Sequence, residues 1–252
     1  MRSGGAPMSK RILEMSMTRL DKVFRDVACA HLKEFVPGNK CPDQYVADLG
    51  QTPLSFNRRP ADEAPRDIAP VILILESPHV EEYCDRDDPV PANGETGEGI
   101  RNCLWMALGL LRGANLSRRP LILANAIQYQ CSLGGYSMPG ITTRFHRDSV
   151  FVRMWNRSPR TARNNFSARL VQYVGSHQPF SQDEPEGYVV INACTRGDKV
   201  SKLKRQLRMM VEDVVLDELG HKSHIRVEHP CSWARSAVSL GRLRPWRYVA
   251  AT

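Results

Sequence analysis

The chain has 252 residues, 42% of them hydrophobic and 25% charged, with a formal net charge of +8 and a pI near 9.3. This length suits one sizeable core rather than two full domains. No apolar run approaches the roughly 20 residues that cross a bilayer and Met1 to Ala6 lacks a signal-peptide core, so the expectation is a soluble, cytoplasmic protein without a membrane partner.

The basic balance favours a polyanionic partner, and nucleic acid is the first choice. Cysteines stand at 29, 41, 84, 103, 131, 194 and 231 with no C-x-x-C pair, which points away from a zinc ribbon or a disulfide framework and towards a reducing compartment. No His/Cys/Asp cluster has metal-ligand spacing, so no metal or other cofactor is expected.

From Ser9 to about Val36, Leu13, Met17, Leu20, Phe24, Val27 and Leu32 recur at near-helical spacing and predict an N-terminal helix. Pro37 to Pro70, rich in Pro, Asp, Arg and Gly, reads as irregular covering structure, so residues 1–70 belong to the same domain as the core at 71–252. Val71 to Leu75 is an apolar run that stops at Glu76-Ser77-Pro78-His79. The glycine-containing stretch Gly94 to Gly99 and the segment Leu104 to Leu111 follow. Leu121 to Ala124 runs into Asn125, and an arginine-rich insertion follows at 132–165, too long to be mere connection. Tyr188 to Ile191 ends at Asn192, and Lys199 to Leu219 predicts a helix with a basic start and an acidic end. That order opposes the helix dipole, so either a phosphate near its start or plain solvation of the face must compensate. Finally, His224 to Val227 ends at Glu228-His229-Pro230.

Four apolar runs separated by helix-compatible stretches predict buried parallel strands, and α/β sheets place their sites at the carboxyl ends of such strands. One carboxylate, two amides and a histidine are thereby expected on one edge. The fold class is a single-domain three-layer α/β/α arrangement around a central, mainly parallel, four-stranded sheet.

At these residues the chain resembles the uracil-DNA glycosylase superfamily. Leu75-Glu76-Ser77-Pro78-His79 is similar to the family's first motif, nearer the Gly-Glu-Ala-Pro-Gly branch than the Gly-Gln-Asp-Pro-Tyr one, and His229-Pro230-Cys231-Ser232-Trp233 to the last, which begins His-Pro-Ser. The glycine-containing loop and the Asn125 segment fall between them in the family's order, and the likeness spans roughly residues 70 to 240. It implies a uracil-DNA-glycosylase-like fold, a DNA partner and excision of a base that has been flipped out of the duplex.

The residue roles follow from that resemblance. Glu76, helped by Ser77, would position or activate water on the sugar side; the alternative is that Glu76 caps the next helix or pairs with an arginine. His229 would donate to the base as it becomes negative. Asn125 would read the base edge, and its amide suits uracil or cytosine faces equally. His79 replaces a tyrosine that in the uracil-specific branch blocks 5-substituents, which makes room for a 5-modified pyrimidine. Trp233 would be the wedge that fills the gap in the stack, unless it is a core residue. Ser232, Arg235, Arg196 and Lys199 would hold the DNA backbone, although loop-satisfying roles are open for those after the third strand.

The expected function is thus a monomeric, monofunctional DNA glycosylase acting on a nonstandard pyrimidine, leaning to a 5-modified cytosine of viral DNA and hence to antiviral defence. Uracil excision in base-excision repair is the alternative. From another class comes a noncatalytic nucleic-acid-binding protein of the same fold. Last comes a nucleotide hydrolase, which lacks the Walker pattern.

Overall fold

The computed structural model describes residues 40–50, 57–85, 87–131, 143–156, 161–197, 207–220 and 224–235. All four apolar runs form strands: β3 at Val71–Leu75, β4 at Pro120–Asn125, β5 at Val189–Asn192 and β6 at His224–Arg226. β3, β4 and β5 are buried at every position, which is why they read as continuous apolar runs rather than alternating ones.

The sheet has six strands, not four. Its order is β2-β1-β4-β3-β5-β6, where β1 is Gln44–Asp48 and β2 is Arg59–Pro60. Both come from the stretch expected to be irregular. β1 pairs antiparallel with β4 and β2 antiparallel with β1, so they extend one edge beyond the four parallel strands. A five-residue segment with a shifted register between Tyr45 and Ala47 offers too short a pattern for periodicity to reveal. Its place is fixed by tertiary contacts instead: Cys41 N donates to Gln128 O at 2.9 Å, and the Arg59 guanidinium lies 3.7 Å from the Tyr45 ring centre.

Helix α1, Glu95–Leu108, covers one face of the sheet; α2 (Thr143–Asn156), α3 (Thr161–Val174) and α4 (Leu207–Leu219) cover the other. The side chains divide with the strand period of two. Ile72, Ile74, Ile122, Ala124 and Val190 join Phe151, Phe166 and Val211 in one core. Val71, Leu73, Leu121, Leu123, Val189 and Ile191 join Ile100, Leu104 and Trp233 in the other. The three-layer α/β/α expectation therefore holds for the described residues. The arginine-rich insertion carries α2 and the start of α3; their mixed polar composition hid the helices, whose apolar faces become clear only against the sheet.

Register sets the level of the strand ends. Leu75 lies opposite Asn125, Ile74 opposite Asn192 and Asn192 opposite Arg226. Residues just past these positions share one edge, with β3 between β4 and β5 at the crossover where α/β sheets open a crevice. The predicted N-terminal helix and the basic start of the Lys199–Leu219 helix lie outside the described residues. No helix among the described residues is long and apolar enough to cross a membrane.

Candidate functional site

Glu76 leaves β3 with its backbone held and its carboxyl deep in the protein. Ala126 N donates to Leu75 O at 2.9 Å and Ile127 N to Glu76 O at 3.0 Å, so the continuation of β4 clamps the residue in place. The side chain is buried and accepts from Ser77 Oγ at 3.3 Å. Arg147, from α2, brings Nε to 3.2 Å from Glu76 Oε1. Burial pushes the Glu76 carboxyl above the usual carboxylate range, while Arg147 and the Thr195 and Ser77 hydroxyls pull it back. Both alternatives weighed for Glu76 meet here, since it sits at the predicted site and pairs with an arginine.

Asn125 ends β4 next to Leu75, with 1% of its surface exposed. Its backbone is fully used: N donates to Asp43 Oδ1 at 3.1 Å and O accepts from Arg169 at 2.9 Å. Its side chain is not, for neither Oδ1 nor Nδ2 has a hydrogen-bond partner among the described residues. Such a group costs about 1 to 3 kcal/mol of desolvation unless a ligand pairs with it. Asn125→Leu, similar in volume but apolar, is therefore expected to raise unfolding stability by about that amount and to abolish ligand recognition. A urea melt beside a binding assay checks both; a lower melting midpoint would mean the amide has a structural partner.

The Asn125 backbone is fixed by a buried polar hub. Asp43, on the segment leading into β1, accepts from Asn125 N, Gln128 Nε2 at 3.1 Å, Tyr173 Oη at 2.8 Å and Arg169. Arg169 in turn donates to Asn165 at 2.9 Å and to the Asn125 and Ala126 carbonyls. Sequence reasoning missed this hub, because its members are separated by up to 130 positions.

His229 follows β6 in a turn that becomes a short 3-10 helix, Pro230–Ser232. The turn is closed by the backbone: Ser232 N and Oγ both donate to His229 O, at 2.9 and 2.7 Å. Cys231 N donates to the ring's Nδ1 at 3.5 Å, and Cys231 Sγ lies 3.2 Å from the same atom. An Nδ1 that accepts leaves the proton on Nε2. Burial, with the positive charge of Arg147 and the His79 ring nearby, pushes the imidazole down to about 4, so His229 is neutral at neutral pH and presents an N–H donor.

The turn reaches its place because Gly99 in α1 has no side chain. A Cβ there would fall 2.2 Å from Pro230 O, so backbone rests on backbone. The expected glycine-containing loop is thus the first turn of α1 itself, beginning after Gly94 with Glu95 and Glu98 favourably placed for the helix dipole.

His79 is half-buried at the start of the 3-10 turn Val80–Tyr83, with Nδ1 3.6 Å from Glu81 Oε2, and burial lowers its proton affinity. It shares the electrostatic environment of Arg147 and His229.

The remaining expectations meet different fates. Trp233 is not an exposed wedge: its ring is fully buried in the α1-side core and Nε1 donates to Glu228 O at 2.6 Å. The 3-10 turn folds the indole inward, out of reach of a duplex. Ser232 spends its hydroxyl within its own turn rather than offering it to a phosphate. Asn192, the second amide of the edge, is satisfied inside the fold: Nδ2 donates to Glu212 at 2.9 Å and Oδ1 accepts from Cys194 N at 3.1 Å. Arg235 and Arg196 are exposed, and Lys199 lies outside the described residues.

The structure therefore groups Glu76, Ser77, His79 and His229 around Arg147, with Asp148 and Thr195 beside them, and sets Asn125 at the neighbouring end of β4, opposite Leu75. Arg147 was visible only as one of many arginines, with nothing in its spacing to single it out. Compared with family models, curated proteins and solved structures, the chain matches none. Among the described residues no group of three or more His, Cys, Asp or Glu side chains is arranged to hold a metal ion, and the six described cysteines are free thiols. The chemistry open to the edge is that of a buried carboxylate, a neutral imidazole donor and an unpaired amide.

Proposed function

We propose that the protein is a monofunctional DNA glycosylase that hydrolyses the N-glycosidic bond of a nonstandard pyrimidine, foremost a 5-modified cytosine of viral DNA, and so serves antiviral defence. The observation that carries the reading is the buried Asn125 amide with both polar ends unpaired, set on the same sheet edge as an acid-bearing β3 end and a neutral His229. An amide in that state suits the donor and acceptor pattern of a base edge.

In this mechanism the base seats on Asn125 and its bond to C1′ lengthens, leaving positive charge on the sugar and negative charge on the base. The His229 Nε2–H donates to the base oxygen where that charge gathers. Glu76 and Ser77 hold a water whose oxygen bonds to C1′; the water's proton leaves through the Glu76 carboxylate, and the departing base anion takes a proton from solvent. The half-buried His79, in place of a bulkier phenol, leaves space beside the base for a 5-substituent. The basic charge of the chain supports a DNA partner, although part of it is internal, since Arg119, Arg169 and Arg208 are buried.

One observation favours a second reading, a noncatalytic nucleic-acid binder: Glu76 is already paired with Arg147. The deciding experiment is mass detection of free bases released from duplexes containing uracil, 5-methylcytosine, hydroxymethylcytosine or glucosylated hydroxymethylcytosine. Release of a 5-modified cytosine is expected. Uracil alone would shift the function to repair, and binding without release from any duplex would leave the binder.

A further inference from the structure

We propose that Arg147 is a positioning residue that holds the Glu76 carboxylate in its ionised form, acting through Glu76 rather than on the substrate. The inference deepens the glycosylase reading and rests on it. Arg147 is anchored independently of Glu76: its Nε and one terminal nitrogen donate to Asp148 Oδ1 at 2.8 and 2.7 Å, and the Asp148 side chain is wholly buried. One guanidinium thus serves two buried carboxylates, with Nε 3.2 Å from Glu76 Oε1.

The groups facing Glu76 from every side make that cation decisive. Ser77 adjoins it, Thr195 and Cys194 face it from beyond β5, Cys131 from beyond β4, Glu82 from the 3-10 turn and Asp148 from α2. Both thiols are held neutral by burial, burial pushes Glu82 up to about 8 so that it is mainly protonated at neutral pH, and Asp148 disfavours a second negative charge. His79 and His229 lie further out and feel Arg147 themselves. Among the described residues, Arg147 is the cation acting on Glu76. Burial works against its own charge, yet Glu76 and Asp148 hold it more firmly protonated than an ordinary guanidinium. Without it, two like charges would remain in a low-dielectric site, and the desolvated Glu76 would take up a proton.

The test is the pH profile of single-turnover base release for Arg147→Gln, Arg147→Lys and Asp148→Asn, beside infrared difference spectra of the protonated carboxyl. Arg147→Gln should lose about tenfold at neutral pH for each unit that its acid limb rises above neutral, recover on the alkaline side, and show a protonated-carboxyl band that Glu76→Gln removes. Arg147→Lys should restore most of the wild-type limb. Asp148→Asn, which leaves the guanidinium to Glu76 alone, should move the limb down, so the proposal stays testable if Arg147→Gln fails to fold. A loss equal at all pH values, with no carboxyl band, overturns the proposal, as does an unmoved limb in Asp148→Asn. A band in Arg147→Gln with no base release by any form, wild type included, upholds the control of Glu76 and sinks the glycosylase reading instead.

Discussion

On the proposed glycosylase reading, replacing His229 with alanine is expected to slow base release by about 100 to 1,000-fold, the usual cost of removing one donor aimed at developing charge. The fold should survive, because the turn is closed mainly through the His229 carbonyl, which accepts at 2.9 and 2.7 Å, while the ring accepts only from Cys231 N at 3.5 Å. Single-turnover kinetics with mass detection, alongside a thermal melt, separate the two effects; a loss below tenfold in a folded variant would remove His229 from the chemistry. The pH dependence has a definite sign. The folded-state imidazole titrates near 4, below its ordinary value, so the unfolded chain binds the proton first as pH falls. The stability contributed by neutral His229 is complete above the ordinary histidine range and is lost as pH drops through the folded value. The Nε2 donor persists over the same interval, so His229 puts no break in the rate near the ordinary histidine pKa.

Asp43→Ala is expected to cost about 3 to 5 kcal/mol of folding stability, because it leaves the Arg169 guanidinium buried without its counter-charge. Tyr173, Gln128 and the Asn125 backbone N–H would lose an acceptor at the same time. Urea titration should show the loss, and adding Arg169→Met should return a large part of it, since a pair removed together strands no charge. Additive losses in the double variant would show that the two residues do not act as one unit. Activity should fall with Asp43→Ala even where the variant is folded, because Asn125 is held at its backbone by this hub.

What was legible in the sequence was whatever burial writes into a contiguous run. β3, β4 and β5 are buried on both faces, so their apolar stretches named themselves and their ends located Glu76, Asn125 and Asn192, while the half-buried β6 led on to His229. β1 escaped because a five-residue antiparallel strand with a shift in register leaves almost no periodic trace, and α2 because its polar residues outnumber the few that reach the core. The fate of side chains at the edge was not readable. Asn125 and Asn192 both follow apolar runs, yet one amide is unpaired and the other is consumed by Glu212, which also binds His224 and Arg226. Trp233 looked free to reach outward, and only the direction of the Pro230–Ser232 turn buries it. Arg147 needed the third dimension, because its partner lies on another layer of the molecule.

The contact between Gly99 and Pro230 determines how His229 tolerates change around it. A spacer made of side chains can shorten or lengthen by changing rotamer, and it passes on every substitution in the core beneath. Two backbones in contact have no such slack. The height of the imidazole above α1 is therefore set by the thickness of a peptide chain, and substitutions elsewhere in that core can change stability while leaving the histidine where it stands.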